Sequence, residues 1–356
     1  MQDQLREFAA GSRYVQGPGA LSRLWPLARS LGRRVAMVAD ARMLELLADP
    51  LTGGASSEDH VFPFSGEITE AAIAALQASV AAADVVVAVG GGKALDAGKA
   101  LALALRLPVM TVPTIASTDA PFSRGIALYD DSHRLARVAQ LPVNPQIVLV
   151  DTAVIAAAPA DFLRAGIGDA LAKKYEAEAA LAGGGLNKHG TRPLQAGLII
   201  ADGCCRILRR HAAGAVAAAE RGLPDEDLEA TVEACFLLSA IGFENTGLSM
   251  AHSVTRGLVK ARQVAGVLHG YHVAYGLLVQ FATEGRPDAE IADLRAFLAS
   301  VGLPRNLAEM GMQGPAPADL EAMADLIMTS PHLGNVPRPV DRFTIRAALE
   351  RIETFG

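Results

Sequence analysis

The sequence predicts an α/β domain built on a parallel, Rossmann-like sheet, followed by an all-α domain. Between Arg34 and Asp151, short apolar runs alternate with helical patterns, which is typical of βαβ units. After about Ala153 the alternation stops, and long patterns rich in Ala and Leu continue toward the C-terminus. The length of 356 residues suits two domains, for which we predict the ranges 1–155 and 156–356.

Four continuous apolar runs predict strands that helices cover on both faces: residues 34–39, 84–89, 108–112 and 146–150. Helical spacing of apolar residues marks the segments 44–47, 70–83 and 94–105. Residues 126–129 and 135–140 flank the polar sequence Asp130-Asp131-Ser132-His133 and predict a hairpin. One antiparallel pair thus accompanies the parallel strands.

Composition and charge exclude several classes of protein. Hydrophobic residues make up 51% of the chain and charged residues 20%, a balance typical of a folded globular protein. The net charge of -6 and the lack of a basic stripe argue against a nucleic-acid partner. The apolar runs are far shorter than the roughly 20 residues that span a bilayer, and the polar N-terminus lacks a signal peptide, so we expect no membrane partner and a cytoplasmic location. The three cysteines fit no disulfide or zinc pattern and are expected to be buried.

A glycine-rich turn follows the predicted strand 84–89. Gly90-Gly91-Gly92-Lys93 leads into a helical pattern, so backbone N–H groups and a helix N-terminus would face this turn. The turn is a candidate phosphate cradle, although a tight strand-to-helix turn also needs glycine. Asp40 directly follows the strand 34–39, where a carboxylate can accept both hydroxyls of an adenosine ribose and favour NAD over NADP. An ordinary helix N-cap is the alternative for Asp40.

A third polar segment, residues 113–121, follows the predicted strand 108–112. It holds Thr114, Ser117 and Asp119. Loops at the carboxyl ends of strands line the ligand crevice in open α/β sheets. This segment is therefore either part of a binding site or a solvated turn.

The helical half holds three residues that suit a metal ion. Asp169 lies among apolar residues in Gly166-Ile167-Gly168-Asp169, His252 lies in an apolar stretch, and His269 begins the helical pattern 269–281. One carboxylate and two imidazoles make a three-ligand site with an open position, as catalytic zinc requires and non-haem iron tolerates. The spacing leaves open whether the three converge or whether each is a separate core or capping residue.

Taken in order, these motifs resemble the glycerol dehydrogenase branch of the iron-containing (type III) alcohol dehydrogenase superfamily. The resemblance extends from Tyr14 to at least Gln280. Its most specific stretches are residues 90–96, 113–121, 166–170 and 247–252, together with His269-Gly270. Four ordered motifs are a stronger signal than any one of them alone.

The resemblance implies the dehydroquinate synthase-like fold of type III alcohol dehydrogenases, with an NAD-binding α/β domain, a helical metal-binding domain and an active site in the cleft between them. It implies that NAD is held by Asp40, Gly91, Gly92, Lys93, Asp96, Thr114, Ser117, Ser123, Gly125 and Tyr129. Asp119 resembles the residue that contacts the polyol. The ligands of Zn²⁺, with Fe²⁺ as the other possible metal, are matched by Asp169, His252 and His269. A small-molecule alcohol substrate and a homo-oligomer follow from the same resemblance.

Some residues depart from the family pattern near the expected pocket. Tyr271 replaces the usual acidic residue after His-Gly, and His272 follows it. Gly125 stands where a bulkier aliphatic residue is common, and Arg124 precedes it. These changes leave the predicted reaction type intact but put glycerol itself in question as the substrate.

We therefore predict reversible, NAD-linked oxidation of a vicinal diol such as glycerol. Catalysis would depend on Asp119 to orient a neighbouring hydroxyl and on the three metal ligands, with His272 as a hypothetical proton relay. An anionic substrate, such as glycerol 1-phosphate or a hydroxycarboxylate, is the first alternative, suggested by Arg124 and Arg256. A dehydroquinate synthase-like cyclase and a sensor without catalysis are further alternatives, although such cyclases usually have Glu where this chain has Asp169.

Overall fold

Six parallel strands form the main sheet of the computed structural model, which describes residues 6–130 and 134–355. In spatial order they are β1 (Arg13–Gly17), β8 (Ile147–Asp151), β5 (Val109–Pro113), β4 (Val85–Gly90), β2 (Val35–Asp40) and β3 (His60–Phe64). The four predicted strands are confirmed, each shifted by one residue toward the C-terminus. The two edge strands, β1 and β3, were not predicted.

Side chains of the central strands alternate between the two faces of the sheet, as the period of a strand requires. In β2, Val35 and Met37 belong to one buried cluster, whereas Ala36 and Val38 belong to another. The first cluster includes the apolar residues of α1 (Leu24–Arg29), and the second includes those of α5 (Gly92–Leu105). Helices therefore cover both faces, as the continuous apolar strands predict.

A separate antiparallel pair consists of β6 (Gly125–Tyr129) and β7 (Leu135–Gln140), with Gly125 opposite Gln140. The predicted hairpin strands are confirmed, while Asp131, Ser132 and His133 of the predicted turn lie outside the described residues. The remaining helices of this half are α2 (Ala41–Leu46), α3 (Ala48–Thr52), α4 (Glu70–Ser79) and α6 (Thr152–Ala157).

From Thr152 to the end of the described chain, every regular element is a helix. Beyond α6, the longer ones are α7 (Ala160–Ala182), α8 (Gln195–Arg221), α9 (Glu226–Glu233), a π-helical turn (Ala234–Leu238), α10 (Ser239–Thr246), α11 (Met250–Leu258), α12 (His269–Glu284), α13 (Asp288–Ser300), α14 (Pro317–Ile327) and α15 (Arg342–Glu353). Two short 3-10 helices, Ala308–Met310 and Pro331–Asn335, complete this half. None of the helices in the described ranges is long and apolar enough to cross a bilayer. All three cysteines are buried, as predicted.

The chain divides into two units. The sheet unit comprises Ala10–Pro159 and Ala218–Leu237, and the helical unit comprises the described residues of Met1–Ala9, Ala160–Ala217 and Leu238–Gly356. A segment from the helical half of the sequence thus packs with the sheet. Within the sheet unit, Gln16 of β1 donates hydrogen bonds from Nε2 to the backbone carbonyl of Glu229 at 2.9 Å and to its carboxylate at 2.6 Å.

Candidate functional site

Close contact between α7 and α12 brings Asp169 and His269 together. A Cβ on Gly270 would lie only 1.7 Å from the carbonyl oxygen of Ala165, and a Cβ on Gly168 would lie 2.3 Å from the carbonyl oxygen of Gly270. Only glycine allows backbones to approach so closely. The glycines beside Asp169 and His269 are therefore what lets these two side chains meet.

The helix α11 approaches α12 in the same way. A Cβ on Gly276 would lie 2.3 Å from the carbonyl oxygen of Ala251, which directly precedes His252. This contact fixes the position of the first turn of α11 against α12. The third predicted ligand is thereby brought to the same place as the other two.

The structure brings Asp169, His252 and His269 into one cluster. Oδ1 of Asp169 lies 3.1 Å from Nε2 of His252 and 3.9 Å from Nε2 of His269. One ligand atom from each residue lies within 4.8 Å of the other two. Atoms bound at about 2.1 Å to a tetrahedral ion are about 3.4 Å apart. The donor types and their spacing therefore fit a divalent metal ion.

Glu176, which the sequence analysis missed, holds His252 from the side opposite Asp169. Its buried Oε2 lies 2.6 Å from Nδ1 of His252. Its Oε1 accepts the backbone N–H groups of Ser249 at 2.8 Å and His252 at 3.0 Å. An ionised carboxylate can only accept at Nδ1, so in the neutral ring the proton is on Nδ1 and the lone pair is on Nε2, which faces Asp169.

Lys173 was also missed, and it places a buried ammonium beside the cluster. Its Nζ lies 3.0 Å from Oδ1 of Asp169 and 3.4 Å from Nε2 of His252, and only 3% of its side chain is exposed. The ring centroid of Phe243 is 4.9 Å from the same nitrogen. One sequence signal does exist, because Asp169, Lys173 and Glu176 are spaced to lie on one face of α7.

The carboxylates and imidazoles of the cluster shift one another's ionisation. Burial alone would raise the pKa of Asp169, but Lys173 and the two imidazoles outweigh it and hold this pKa well below its usual range. Burial also opposes ionisation of Glu176, yet His252 and Lys173 lower the pKa of this carboxyl. Burial lowers the pKa of His252, and the carboxylates of Glu176 and Asp169 more than reverse that effect. The carboxyl groups of Asp169 and Glu176 are therefore ionised and attract cations.

His269 differs from His252 in its surroundings. Its side chain is 44% exposed, while that of His252 is 10% exposed. Desolvation of the ring, together with the neighbouring cations, lowers the pKa of His269. A neutral imidazole is the form that binds a metal ion.

The carboxyl ends of β2, β4 and β5 are neighbours in the sheet and gather the predicted cofactor residues. The N–H of Thr114 donates to the carbonyl of Gly90 at 3.1 Å. Gly90 has a φ of 138°, and a Cβ there would lie 2.9 Å from Cβ of Asp40. Gly91 is the N-cap of α5, and Gly92 is its first residue. Free backbone N–H groups at a helix start suit a phosphate group.

Two charged residues of this edge have partners within the sheet unit. Oδ1 of Asp40 accepts the N–H groups of Arg42 at 3.0 Å and Met43 at 3.2 Å, so Asp40 is the N-cap of α2. A ribose contact of the same carboxylate stays a prediction. The ammonium of Lys93 forms an ion pair with Glu67 and lies 6.0 Å from the ring centroid of Tyr129.

Most of the other predicted cofactor residues lie along the loop and strand that follow β5, together with Asp119, which was predicted to contact the polyol. Thr114, Asp119 and Ser123 are buried, and Ser117, Gly125 and Tyr129 are partly buried. Asp96 is buried on α5, where its Oδ2 accepts the N–H of Ala127 at 2.9 Å and its Oδ1 lies 2.7 Å from Nζ of Lys99. Asp96 is thus bonded to β6 and to its own helix.

The residues that depart from the family pattern have ordinary structural contacts. The hydroxyl of Tyr271 donates to Asp161 at 3.2 Å, and burial is the main reason that the pKa of Tyr271 is raised to about 12. His272 is 1% exposed and donates from Nε2 to the carbonyl of Val264 at 2.8 Å. This contact favours a packing role for His272 over the hypothetical proton relay.

Comparison with known proteins identifies relatives over the whole length of the chain. The family model "Iron-containing alcohol dehydrogenase" matches residues 11–152. Glycolaldehyde reductase from Halobacterium salinarum is 38% identical over 89% of this chain and 88% of its own length. Glycerol dehydrogenase from Escherichia coli is 35% identical over 97% of this chain and 95% of its own. The crystal structure of a probable glycerol dehydrogenase from Sinorhizobium meliloti superposes with a TM-score of 0.92, at 34% identity over 99% of both chains.

Proposed function

The chain belongs to the glycerol dehydrogenase branch of the iron-containing alcohol dehydrogenase family, and we propose that it catalyses the reversible, NAD-linked oxidation of glycerol or a related vicinal diol to the hydroxyketone. It is an oxidoreductase by family. The convergence of Asp169, His252 and His269 on one point carries the proposal.

The three residues would hold Zn²⁺ as a three-ligand site with room for a substrate oxygen. When bound, Zn²⁺ supplies Lewis acidity that polarises a substrate hydroxyl and lowers its pKa. The donor set also suits Fe²⁺, and the resemblance to the glycerol dehydrogenases favours Zn²⁺. Asp169 contributes the negative charge, and the two histidines contribute neutral nitrogen ligands.

Glu176 and Lys173 would tune this site. Glu176 keeps the Nδ1 proton of His252 in place, which leaves Nε2 free to bind a cation. Lys173 lies so close to Asp169 and His252 that its ammonium and a metal ion compete for the same carboxylate. The affinity for the metal is then set by two opposed effects: Glu176 strengthens binding by orienting His252, and Lys173 weakens it by competing for Asp169.

The glycine turn and its neighbours would bind NAD, which accepts the hydride from the substrate carbon. Backbone N–H groups of Gly91 and Gly92 and the charge of Lys93 suit the pyrophosphate. The carboxylate of Asp40 suits the adenosine ribose. Asp96 supports the site from α5, and the remaining contacts would come from Thr114, Ser117, Ser123, Gly125 and Tyr129.

Asp119 would orient the hydroxyl next to the reacting one. Its backbone carbonyl accepts two N–H groups of its own loop, from Phe122 and Ser123, both at 3.1 Å. A fixed backbone at Asp119 limits the positions its carboxylate can adopt. A diol with a second hydroxyl beside the first would then bind in one orientation.

Arg256, one of the two arginines that suggested an anionic substrate, is bonded within the helical unit. The guanidinium of Arg256 donates to the carbonyl of Thr329 at 3.1 Å and to its hydroxyl at 3.3 Å. One relative is named glycolaldehyde reductase. A small hydroxyaldehyde, reduced with NADH, is therefore a further candidate substrate.

The test is a substrate panel followed by absorbance of NADH. Glycerol and 1,2-propanediol are assayed with NAD, glycolaldehyde is assayed with NADH, and lactate and glycerol 1-phosphate represent anionic substrates. We expect activity with the diols, loss of activity on chelation, and recovery with Zn²⁺. Activity with the anionic substrates alone would overturn the polyol proposal. Asp169→Asn should abolish activity, while the control Glu178→Gln on the same helix should not.

We also propose that the protein is a homo-oligomer, on the basis of its family. Light scattering during size-exclusion chromatography tests the oligomer directly, and a mass near the 37.0 kDa of one chain would contradict it.

A further inference from the structure

A fully buried lysine lies on α5, the helix that follows the glycine turn of the proposed cofactor site. Lys99 is on α5, and its relative exposure is 0%. Its Nζ donates hydrogen bonds to the backbone carbonyls of Ala120 at 2.9 Å, Ser123 at 3.3 Å and Gly125 at 2.6 Å. The carboxylate of Asp96 lies 2.7 Å from the same nitrogen. Burying an ammonium is costly, and these four partners offset the cost.

The segment Asp119 to Gly125, which we call the clamped loop, has every one of its backbone carbonyls bonded. Besides the three that Lys99 holds, the carbonyl of Pro121 accepts from the hydroxyl of Thr111 at 2.6 Å, and that of Phe122 accepts from Asn144 at 3.1 Å. The carbonyl of Arg124 accepts the N–H of Leu141 at 3.0 Å, and that of Asp119 accepts two N–H groups of the loop.

This pattern gives the loop a defined orientation. All of its carbonyls are bonded to donors of the sheet unit, although the loop has no regular secondary structure before Gly125. Irregular backbone with so many fixed carbonyls cannot change conformation without breaking several hydrogen bonds at once. Lys99 provides three of these bonds from one atom, so it is the largest single contribution to the order of the loop.

We infer that Lys99 is a positioning residue, which orders the clamped loop so that Asp119, Ser123 and Gly125 face substrate and cofactor in a ready-made arrangement. The inference rests on the proposed function, since it assumes that the loop binds NAD. A loop ordered before binding does not lose conformational freedom when the cofactor arrives. Loss of Lys99 should therefore weaken cofactor binding, because the lysine acts through the order of the loop and not by contact with the cofactor.

The test compares Lys99→Met with the wild-type enzyme by two measurements. Binding of NADH is followed by fluorescence, and backbone amide exchange of peptides covering residues 117–128 is followed by mass spectrometry. We expect the Kd for NADH to rise at least tenfold and exchange in this peptide to become faster. Zn²⁺ affinity should stay unchanged, because the metal ligands are in the helical unit.

A destabilised control separates loop order from general loss of stability. Leu24→Ala removes a fully buried side chain from the cluster on the other face of the sheet, which contains no residue of the clamped loop. It should lower the melting temperature while leaving the Kd for NADH within twofold of wild type. Lys99→Gln keeps a neutral NH₂ group as a donor and should give an intermediate Kd. It serves as the test variant if Lys99→Met does not fold.

The outcomes are distinguishable. If wild-type protein binds NADH, and both Lys99 variants bind it equally well with unchanged exchange in 117–128, Lys99 does not position the loop. If the Leu24→Ala control weakens NADH binding as much as Lys99→Met does, the effect is only one of stability and the inference is wrong. If the wild-type protein itself does not bind NADH, the proposed function fails first.

Discussion

Replacement of Glu176 by Gln tests how the proposed metal site depends on the orientation of His252. Glu176 accepts three hydrogen bonds, one from Nδ1 of His252 at 2.6 Å and two from backbone N–H groups at 2.8 and 3.0 Å. A glutamine has only one oxygen. In one orientation its NH₂ group faces the Nδ1 proton of His252, and in the other it faces the two backbone donors.

The first orientation opposes the ring state that binds metal, and the second keeps that state only by leaving two backbone N–H groups without their acceptor. A donor facing Nδ1 favours the tautomer with the proton on Nε2, and that tautomer cannot bind a cation through Nε2. Loss of such a supporting carboxylate typically lowers metal affinity by about 10- to 100-fold, which corresponds to about 1.4–2.7 kcal/mol. We expect Glu176→Gln to raise the Kd for Zn²⁺ within this range.

The assay is competition for Zn²⁺ between metal-free protein and a chromophoric chelator. Glu178→Gln is the matched control, because Glu178 lies on the same helix with a side chain that is 48% exposed. Circular dichroism establishes that each variant is folded. A Kd for Glu176→Gln within twofold of wild type would refute the argument that Glu176 sets the tautomer of His252.

Three further predictions concern packing, charge and pH. Gly270→Ala should lower the melting temperature strongly and abolish Zn²⁺ binding. Its Cβ would lie 1.7 Å from the carbonyl oxygen of Ala165, and such overpacking costs about 3 kcal/mol or more. The control Gly203→Ala, whose Cβ meets nothing within 4 Å, should change neither the melting temperature nor Zn²⁺ binding. Lys173→Met should bind Zn²⁺ about tenfold or more tightly in the chelator assay. The reason is that Nζ of Lys173 lies 3.0 Å from Oδ1 of Asp169, so its charge opposes a second cation at that carboxylate. Unchanged affinity would mean that the ammonium does not compete. The hydrogen bond from Arg29 lowers the pKa of Asp59 below its usual range, so this pair stabilises the fold above the unfolded pKa of about 4 and its contribution is lost as the pH falls through the lower folded value. Asp59→Asn should therefore melt below wild type at pH 7, with a difference that narrows below about pH 4, and a constant difference would contradict the assigned cause.

The central strands were predictable because burial on both faces makes them continuously apolar. The edge strands were not. β1 pairs only with β8, about 130 residues later in the chain, so its partner cannot be read from local sequence. β3 has the sequence His-Val-Phe-Pro-Phe. A proline argues against a strand when only the sequence is known, although an edge strand tolerates it.

The three residues that converge, Asp169, His252 and His269, were each singled out from the sequence, but the charged groups around them were not. Glu176 and Lys173 are charged residues on a helix, and most such residues lie in solvent. Their burial follows from the packing of α11 and α12 against α7. Gly168 and Gly270 make the close contacts between α7 and α12, and Gly276 makes the one between α12 and α11. Sequence pattern marks those glycines but does not show which backbone each one meets.

Titration of the metal-free protein with Zn²⁺, followed by the rate of NADH formation with glycerol, tests the central claim most directly. We expect no rate without metal, then a linear rise that saturates at one Zn²⁺ per chain. A His252→Ala variant that still binds NADH should show no response. A full rate in the metal-free protein, or an equal response in that variant, would contradict the assignment of Asp169, His252 and His269 as the metal site.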